Sequence, residues 1–306
     1  MRQYIVRRVG YSLLSLVLLS LTIFLFIRLT GDPTTLLTEP GASAEDIAAI
    51  QHKFGLDLPI WQQYFLFMAS LLRGDLGDSF YYQTPVMELY MSRLPNSLLL
   101  GMVAMAFSLI LGIPTGILAA MRVGRFWDNA GKLFALLGLS LPSFLVGLLL
   151  ILFFSVYLEW LPSSGSGTVW HLLMPAFALG WYFAAAHMRL TRSSMLEVLG
   201  SEYVKLARLK GLPESWVIGK HAFKNALIPV VTLAGINLIL MINVAVVVET
   251  VFAWPGIGRL LYEGVSFRDF PVVQGVVILG GAMIIVVNLL VDIFYAIVDP
   301  RIRLEK

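Results

Sequence analysis

From Val9 to Ile27 the chain carries no charged side chain. Five further apolar runs follow: Leu94–Met121, Leu133–Leu158, Trp170–Met188, Ala226–Val248 and Val272–Val291. A membrane helix needs about 20 mostly apolar residues. In hydrocarbon, backbone polar groups find no water, so such runs become helices rather than open strands. The runs therefore imply an all-α polytopic membrane protein with six transmembrane helices. Composition agrees: 58% of the 306 residues are hydrophobic and 13% charged, against roughly half and a quarter in soluble domains. The first run is too long for a signal peptide and lacks a small-residue cleavage site, so it is expected to stay as a span. Pro95, Pro114, Pro142 and Pro175 lie inside runs and predict kinked helices.

Lysine and arginine set the orientation. With the N-terminus inside, the inner segments hold Arg2, Arg7 and Arg8, then Arg122, Arg125 and Lys132, then the cluster from Arg189 to Lys224, then Arg301, Arg303 and Lys306. The outer side receives Arg28, Lys53, Arg73, Arg93, Arg259 and Arg268. Both termini are therefore expected in the cytoplasm. The implied organisation is an N-terminal end and first helix at 1–30, an extracytoplasmic insertion at 31–93, a five-helix core at 94–299 with a cytoplasmic loop at 189–225, and a tail at 300–306.

Within the insertion, Gly31-Asp32-Pro33 reads as a turn. Ser43–Phe54 reads as a short helix with a capping serine and an acidic first turn. Pro59–Leu72 is apolar and aromatic but too short to span, so it is expected at the membrane surface or packed on the bundle. The last outer segment, Glu249–Pro271, contains a turn at Trp254-Pro255-Gly256 and a candidate short helix over Ile257–Val265.

The longest polar interruption in the second half runs from Ser193 to Pro229. It carries Lys205, Arg208, Lys210, Lys220 and Lys224, and reads as two short helices broken at Gly211-Leu212-Pro213. Gly211 can supply a helix stop at positive φ, and Pro213 suits the first turn of a new helix. A bent helix pair between two spans is either a passive loop or a docking surface for a partner that pushes on the membrane part.

Little else carries chemistry. The chain has no cysteine, which removes disulfides and thiolate chemistry. No GxxxxGK[ST] phosphate loop and no HExxH metal pair occurs. His52, His171, His187 and His221 are scattered and read as structural or interfacial. Ser140 and Ser194 have no histidine at a fixed relation, and Asp292 and Asp299 lack the sequence an intramembrane aspartyl protease needs. No catalytic residue, metal site or nucleic-acid surface is expected. Polar groups inside spans need partners. Asn237 and Asn243, and Asn288 with Asp292 four residues on, either line a translocation path or serve as interhelical hydrogen-bond partners. The sparse stripe fits the second use better. Glu249, ending the fifth run, is either an outward-facing substrate contact or an ordinary interfacial acid.

Ordered motifs along almost the whole chain resemble one family. They are Gly31-Asp32-Pro33 after the first span, FGLDLPIWQQY (Phe54–Tyr64), GDLGDSF (Gly74–Phe80) and RLPNSLLL (Arg93–Leu100). Then follow EYVKLARLKGL (Glu202–Leu212), KHAFKNALIPVVT (Lys220–Thr232), VVETVFAWPGIGRLLYEGV (Val247–Val265), FPVVQG (Phe270–Gly275) and VDIFYAIVDPRIR (Val291–Arg303). The chain is similar to permease subunits of bacterial ABC importers of the dipeptide, oligopeptide and nickel class, of the first-permease type. The general coupling signature of ABC permeases, aligned on Gly211, matches only at Ala207 and Gly211. The peptide-importer version, EYxxxARxKG followed by HAxxNAxIP, matches at Glu202, Tyr203, Ala207, Arg208, Lys210, Gly211, His221, Ala222, Asn225, Ala226 and Pro229.

The resemblance implies a type I ABC importer permease fold in the bacterial inner membrane. It implies that Glu202, Tyr203, Lys205, Ala207, Arg208, Lys210 and Gly211 couple the chain to an ATPase. It further implies a second related permease, two ATPase subunits and an extracytoplasmic solute-binding protein. The chain itself would bind no cofactor; ATP and Mg would belong to the partner ATPases. The cargo would be a peptide or related small solute: a dipeptide, oligopeptide, nickel complex, glutathione, opine or oligosaccharide. The rival class is a stand-alone secondary transporter or channel, which calls for more polar groups at mid-depth and for internal repeats.

Overall fold

The computed structural model describes residues 2–30, 52 and 57–298. The expected turn at Gly31-Asp32-Pro33, the Ser43–Phe54 helix, Asp299, the 300–306 tail and the side chains of Asn243 and Asp292 lie outside the described residues. The described elements are helical apart from an isolated bridge between Asp78 and Pro85. They are α1 (Arg2–Thr30), α2 (Ile60–Leu72), α3 (Val86–Met121), α4 (Phe126–Ser140), α5 (Ser143–Leu150), α6 (Val169–Leu199), α7 (Glu202–Leu209), α8 (Glu214–Trp216), α9 (Lys224–Val251), α10 (Ile257–Ser266) and α11 (Phe270–Val298). Wider π-type turns at Ile151–Tyr157 and Val217–Phe223 extend α5 and join α8 to α9. Among the described residues, four helices are long and apolar enough to cross a membrane, or five if the bent pair α4–α5 counts as one span.

That bent pair corrects the expected third span. Leu133–Leu158 is not one kinked helix: α4 and α5 meet at 104°. Leu141 is extended at φ −89°, ψ 122°. The residue before a proline is pushed out of the α region, and Pro142 has no N–H to offer the preceding turn. By contrast, Pro95 and Pro114 lie inside an uninterrupted α3, and Pro175 and Pro229 inside α6 and α9.

The chain divides into two compact units, residues 1–95 with 260–306 and residues 96–259, the division falling within α3 and α10. In the first unit α1 packs on α11, where Gly281 leaves room for the Leu19 side chain. The short helix α2 packs on α1 through aromatic contacts, Tyr64 edge-on to Phe24 at 5.4 Å and Phe67 stacked on it at 5.8 Å, while Trp61 and Phe65 stay exposed. Buried Asp269 organises the loop that precedes α11. It accepts from Ser79 Oγ and from the Tyr81 N–H at 3.1 Å, just before α11 begins. Tyr81 stacks on Phe267 at 4.0 Å. Tyr82 donates to Glu263 at 2.7 Å. Burial and the neighbouring carboxylate push its phenol up to about 12, so it remains a donor.

The second unit is a core of α3, α5, α6 and α9, built from Leu100, Leu179, Phe183, Met241, Phe252 and Trp254 among others. Helices α3 and α6 approach backbone to backbone. A Cβ at Gly112 would sit 2.7 Å from Ala184 O, at Gly116 2.7 Å from Met188 O, and at Gly180 2.6 Å from Ala104 O. Small residues permit such close crossings, which dispersion and polar contacts then hold in lipid.

Candidate coupling site

The polar stretch after α6 forms one free-standing short helix rather than two. Ser193–Leu199 belongs to α6, and the second expected helix is the start of a helix that continues through the π-type turn into α9. The physical reason is that Trp216 and Phe223 both keep right-handed helical angles, so nothing stops the turn between them.

Helix α7 begins after Ser201 with Glu202 in its first turn, where an acid opposes the positive helix end. It stops at Gly211, whose φ is +73°. The Gly211 N–H bonds Arg208 O at 3.0 Å and the Leu212 N–H bonds Ala207 O at 3.4 Å. This is the paired closure that a left-handed glycine permits. Val204 and Ala207 are buried against Val217 and the end of α6. The opposite face shows Tyr203, Leu206 and Leu209, the last 84% exposed.

Across the bend, Arg208 holds Glu214 through Nε at 3.2 Å and Nη2 at 2.7 Å. The bond raises the guanidinium further and holds the Glu214 carboxyl below its usual range. Lys205 pairs with Glu202 at 2.8 Å, both exposed, an arrangement worth little in water. Lys220 lies over the Trp216 ring at 5.0 Å. Lys210 ends α7 and is exposed. The HAxxNA run has a packing explanation. Ala222 and Ala226 are buried against Ala120 and Met195, while Asn225 Nδ2 donates to Tyr203 OH at 3.1 Å and to His221 O at 2.9 Å. Small side chains let the start of α9 close on the bundle, and the asparagine ties it to α7.

Among the described residues, the polar groups of the long helices do not converge. Asn237 is buried and meets His187 Nε2 at 3.3 Å, joining α9 to α6. Asn288 is exposed on α11. Glu249 is fully buried at the C-terminal end of α9, where it accepts from Ser97 Oγ at 2.6 Å and from the Arg259 N–H at 3.1 Å. Ser97 Oγ in turn accepts from the Ile257 N–H at 2.7 Å. The carboxylate thus sits at the positive start of α10. Gly256 and Gly258 leave the room it occupies; a Cβ at either would press on it. Trp254 Nε1 donates to Asn96 O at 3.0 Å and Asn96 Nδ2 to Pro255 O at 2.9 Å, completing a latch between α3 and the 252–259 loop.

Sequence reasoning missed Ser97, Asn96 and the buried acid Asp128. For Asp128 a signal existed, since it is the lone acid in the basic stretch Arg122–Lys132. Ser97 and Asn96 carry none, because their partners lie more than 150 positions away. Among the described residues no three metal-ligating side chains gather.

Two family models cover the chain. Residues 112–304 match the binding-protein-dependent transport system inner membrane component, and residues 1–101 match the N-terminal part of such membrane components. The glutathione transport system permease protein GsiC of Escherichia coli is 39% identical over 304 residues, 99% of each chain. Its Salmonella typhi counterpart is equally similar over the same span. Among solved structures, the MetNI methionine ABC transporter matches with a TM-score of 0.57 at 21% identity, over 70% of this chain and 97% of that one. An amino acid ABC transporter matches at 0.54 and 14% identity, over 68% and 92%. At these identities the structures speak for the fold alone. Matched by family models along most of its length and aligned almost end to end with curated permeases, the chain belongs to the binding-protein-dependent transport system inner membrane components, as a multi-pass permease subunit of an ABC importer.

Proposed function

We propose that this permease crosses the inner membrane six times with both termini inside, and that it forms half of a translocation path with a second, related permease. In this reading α9 is the fifth span, the bent pair α4–α5 the third, and residues 189–225 face two ATPase subunits. ATP and Mg bind there, and no cofactor binds this chain. Outer segments within 31–93 and 249–271 receive the solute-binding protein, and lipid surrounds the rest. Helix α7 with Gly211 is the coupling element. The observation that carries this is a short helix, closed by a left-handed glycine and seated on Val204 and Ala207, that leaves Leu206 and Leu209 exposed; in this reading they meet an apolar groove on the ATPase. Closure of the ATPases then moves α7 and rocks the attached helices.

The similarity to glutathione permeases makes a short peptide of that size the proposed cargo, with selectivity residing largely in the binding protein. Asn237 and Glu249 are assigned to holding helices together rather than to lining the path. Asn243, Asn288 and Asp292 stay the candidates for solute contact. The test is a mild-detergent pull-down of tagged permease, followed by glutathione uptake, with the solute-binding protein supplied, into liposomes holding the recovered complex. Two ATPases and a second permease should co-purify, and Gly211→Pro should abolish uptake while preserving the membrane fold. Repeated recovery of an active permease alone, or wild-type uptake by the Gly211 variant, rejects the coupling reading. Absence of glutathione uptake by an ATP-hydrolysing complex rejects the cargo only.

A further inference from the structure

Asp128 opens α4 and is fully buried, a costly position for a carboxylate unless donors surround it. Three donors do. Arg192 Nε lies 2.6 Å from Oδ1, Lys132 Nζ 2.8 Å from Oδ2, and the Gly124 N–H 2.9 Å from Oδ2. Lys132 is one turn along the same helix and half exposed, whereas Arg192 comes from α6 and is mostly covered. The Arg192 bond is thus the one that links two elements.

The rest of the α4–α6 contact is apolar, with small residues along the buried face and Phe134 edge-on to Trp181 at 5.0 Å. The buried face of α4 reads Asp128, Gly131, Ala135, Gly138, at helical spacing. Gly131 receives the Met188 side chain and Gly138 the Ala185 methyl. Small apolar surfaces allow a helix to slide along its neighbour at little cost. A charge-assisted bond with defined geometry does not, and setting register is the best-attested use of buried polar pairs.

The position of this bond matters because of what lies at each end. Arg192 sits two turns before the end of α6, which passes into α7 through Gly200 and Ser201. Beyond the 104° bend, α5 meets the C-terminal end of α9, where Gly147 leaves room for the Phe252 ring; a Cβ at that position would lie 2.9 Å from it. Phe252 adjoins the latch of Trp254, Glu249 and Ser97. The bent pair therefore spans from the foot of α6 to the outer latch.

We propose that Asp128 is a positioning residue for coupling: through Arg192 it fixes α4 to the foot of α6, so that a displacement entering at α7 is carried by the α4–α5 pair to the 252–259 loop. This rests on the reading of α7 as the coupling element.

The test uses the complete transporter with its ATPases, in liposomes. The permease has no cysteine, so Ala253→Cys supplies a single reporter on this subunit in the outer loop. Its labelling rate by a membrane-impermeant maleimide is read with and without nucleotide trapped by vanadate. ATPase co-purification and hydrolysis are measured on the same samples. In the parent, trapping should change the labelling rate by about tenfold, the usual scale of a coupling between sites. Asp128→Asn and Arg192→Lys should flatten that response while the ATPases remain bound and active. The exchange Asp128→Arg with Arg192→Asp should recover part of it. A full response in the single variants overturns the proposal. So does a response lost only together with ATPase binding and not recovered by the exchange. Gly211→Pro separates the two readings. A flat response there with a full response in Asp128→Asn overturns the role of Asp128 alone. A full response in Gly211→Pro shows that motion does not enter at α7, and overturns both.

Discussion

Glu249 and Gly211 show how differently single residues can be read from a sequence. The acid ending the fifth apolar run was equally compatible with a substrate contact and with an interfacial charge. Its burial against Ser97 and the start of α10 makes it a helix-end anchor. Glu249→Gln keeps the shape but replaces one acceptor oxygen with a donor facing Ser97 Oγ or the Arg259 N–H. Losing a hydrogen bond to a charged group costs roughly 1.5–3 kcal/mol, and a lower unfolding temperature in detergent checks this. Gly256→Ala should reproduce the effect, because its methyl would occupy the space of the carboxylate. At Gly211 the left-handed closure was legible directly, since a glycine stop followed by proline has few other meanings. The Arg208–Glu214 pair carries a pH consequence. Its carboxyl is held below the usual value, so the bond is intact above the ordinary glutamate range and is lost only as pH falls through the lowered one. Association with ATPases should therefore be flat from neutral pH down to about pH 5. A steep loss within that interval would assign the titration to another group.

Among the elements, the apolar runs marked the helices well and their breaks poorly. Pro114 and Pro175 sit inside continuous helices, whereas Pro142 ends one, and nothing local distinguishes them. A proline stays inside a membrane helix where neighbours or local adjustments can satisfy the carbonyl it frees, which is a matter of tertiary packing. The α3–α6 crossing was also hidden. Gly112, Gly116 and Gly180 resemble any small residues in a span until the facing backbone oxygens are seen. Gly112→Val should force the two helices apart and cost about 1–3 kcal/mol by overpacking. Reduced recovery of monodisperse protein in detergent, with Gly101→Val as a control at an open position, checks it.

For the whole molecule, the ordered motifs point to a permease, and the family matches agree. Arg208 is already engaged with Glu214, so Arg208→Glu breaks the bend as well as reversing a surface charge. Recovery of ATPase subunits with that variant should fall, and the exchange Arg208→Glu with Glu214→Arg should restore most of it. If the exchange restores nothing, the guanidinium itself meets the partner.

The local sequence already carries the helical class, the membrane setting and the bend at Gly211, through hydropathy, charge bias and turn chemistry that act over a few neighbouring residues; the ordered motifs carry the kinship. Packing sets what no local stretch does: Asp128 meets Arg192 across 64 positions, Ser97 meets Glu249 across 152, and the third apolar run bends through 104°. Such pairings depend on which helix faces come together. A buried charge acquires its role from the partner that desolvation forces upon it, and no local pattern names that partner.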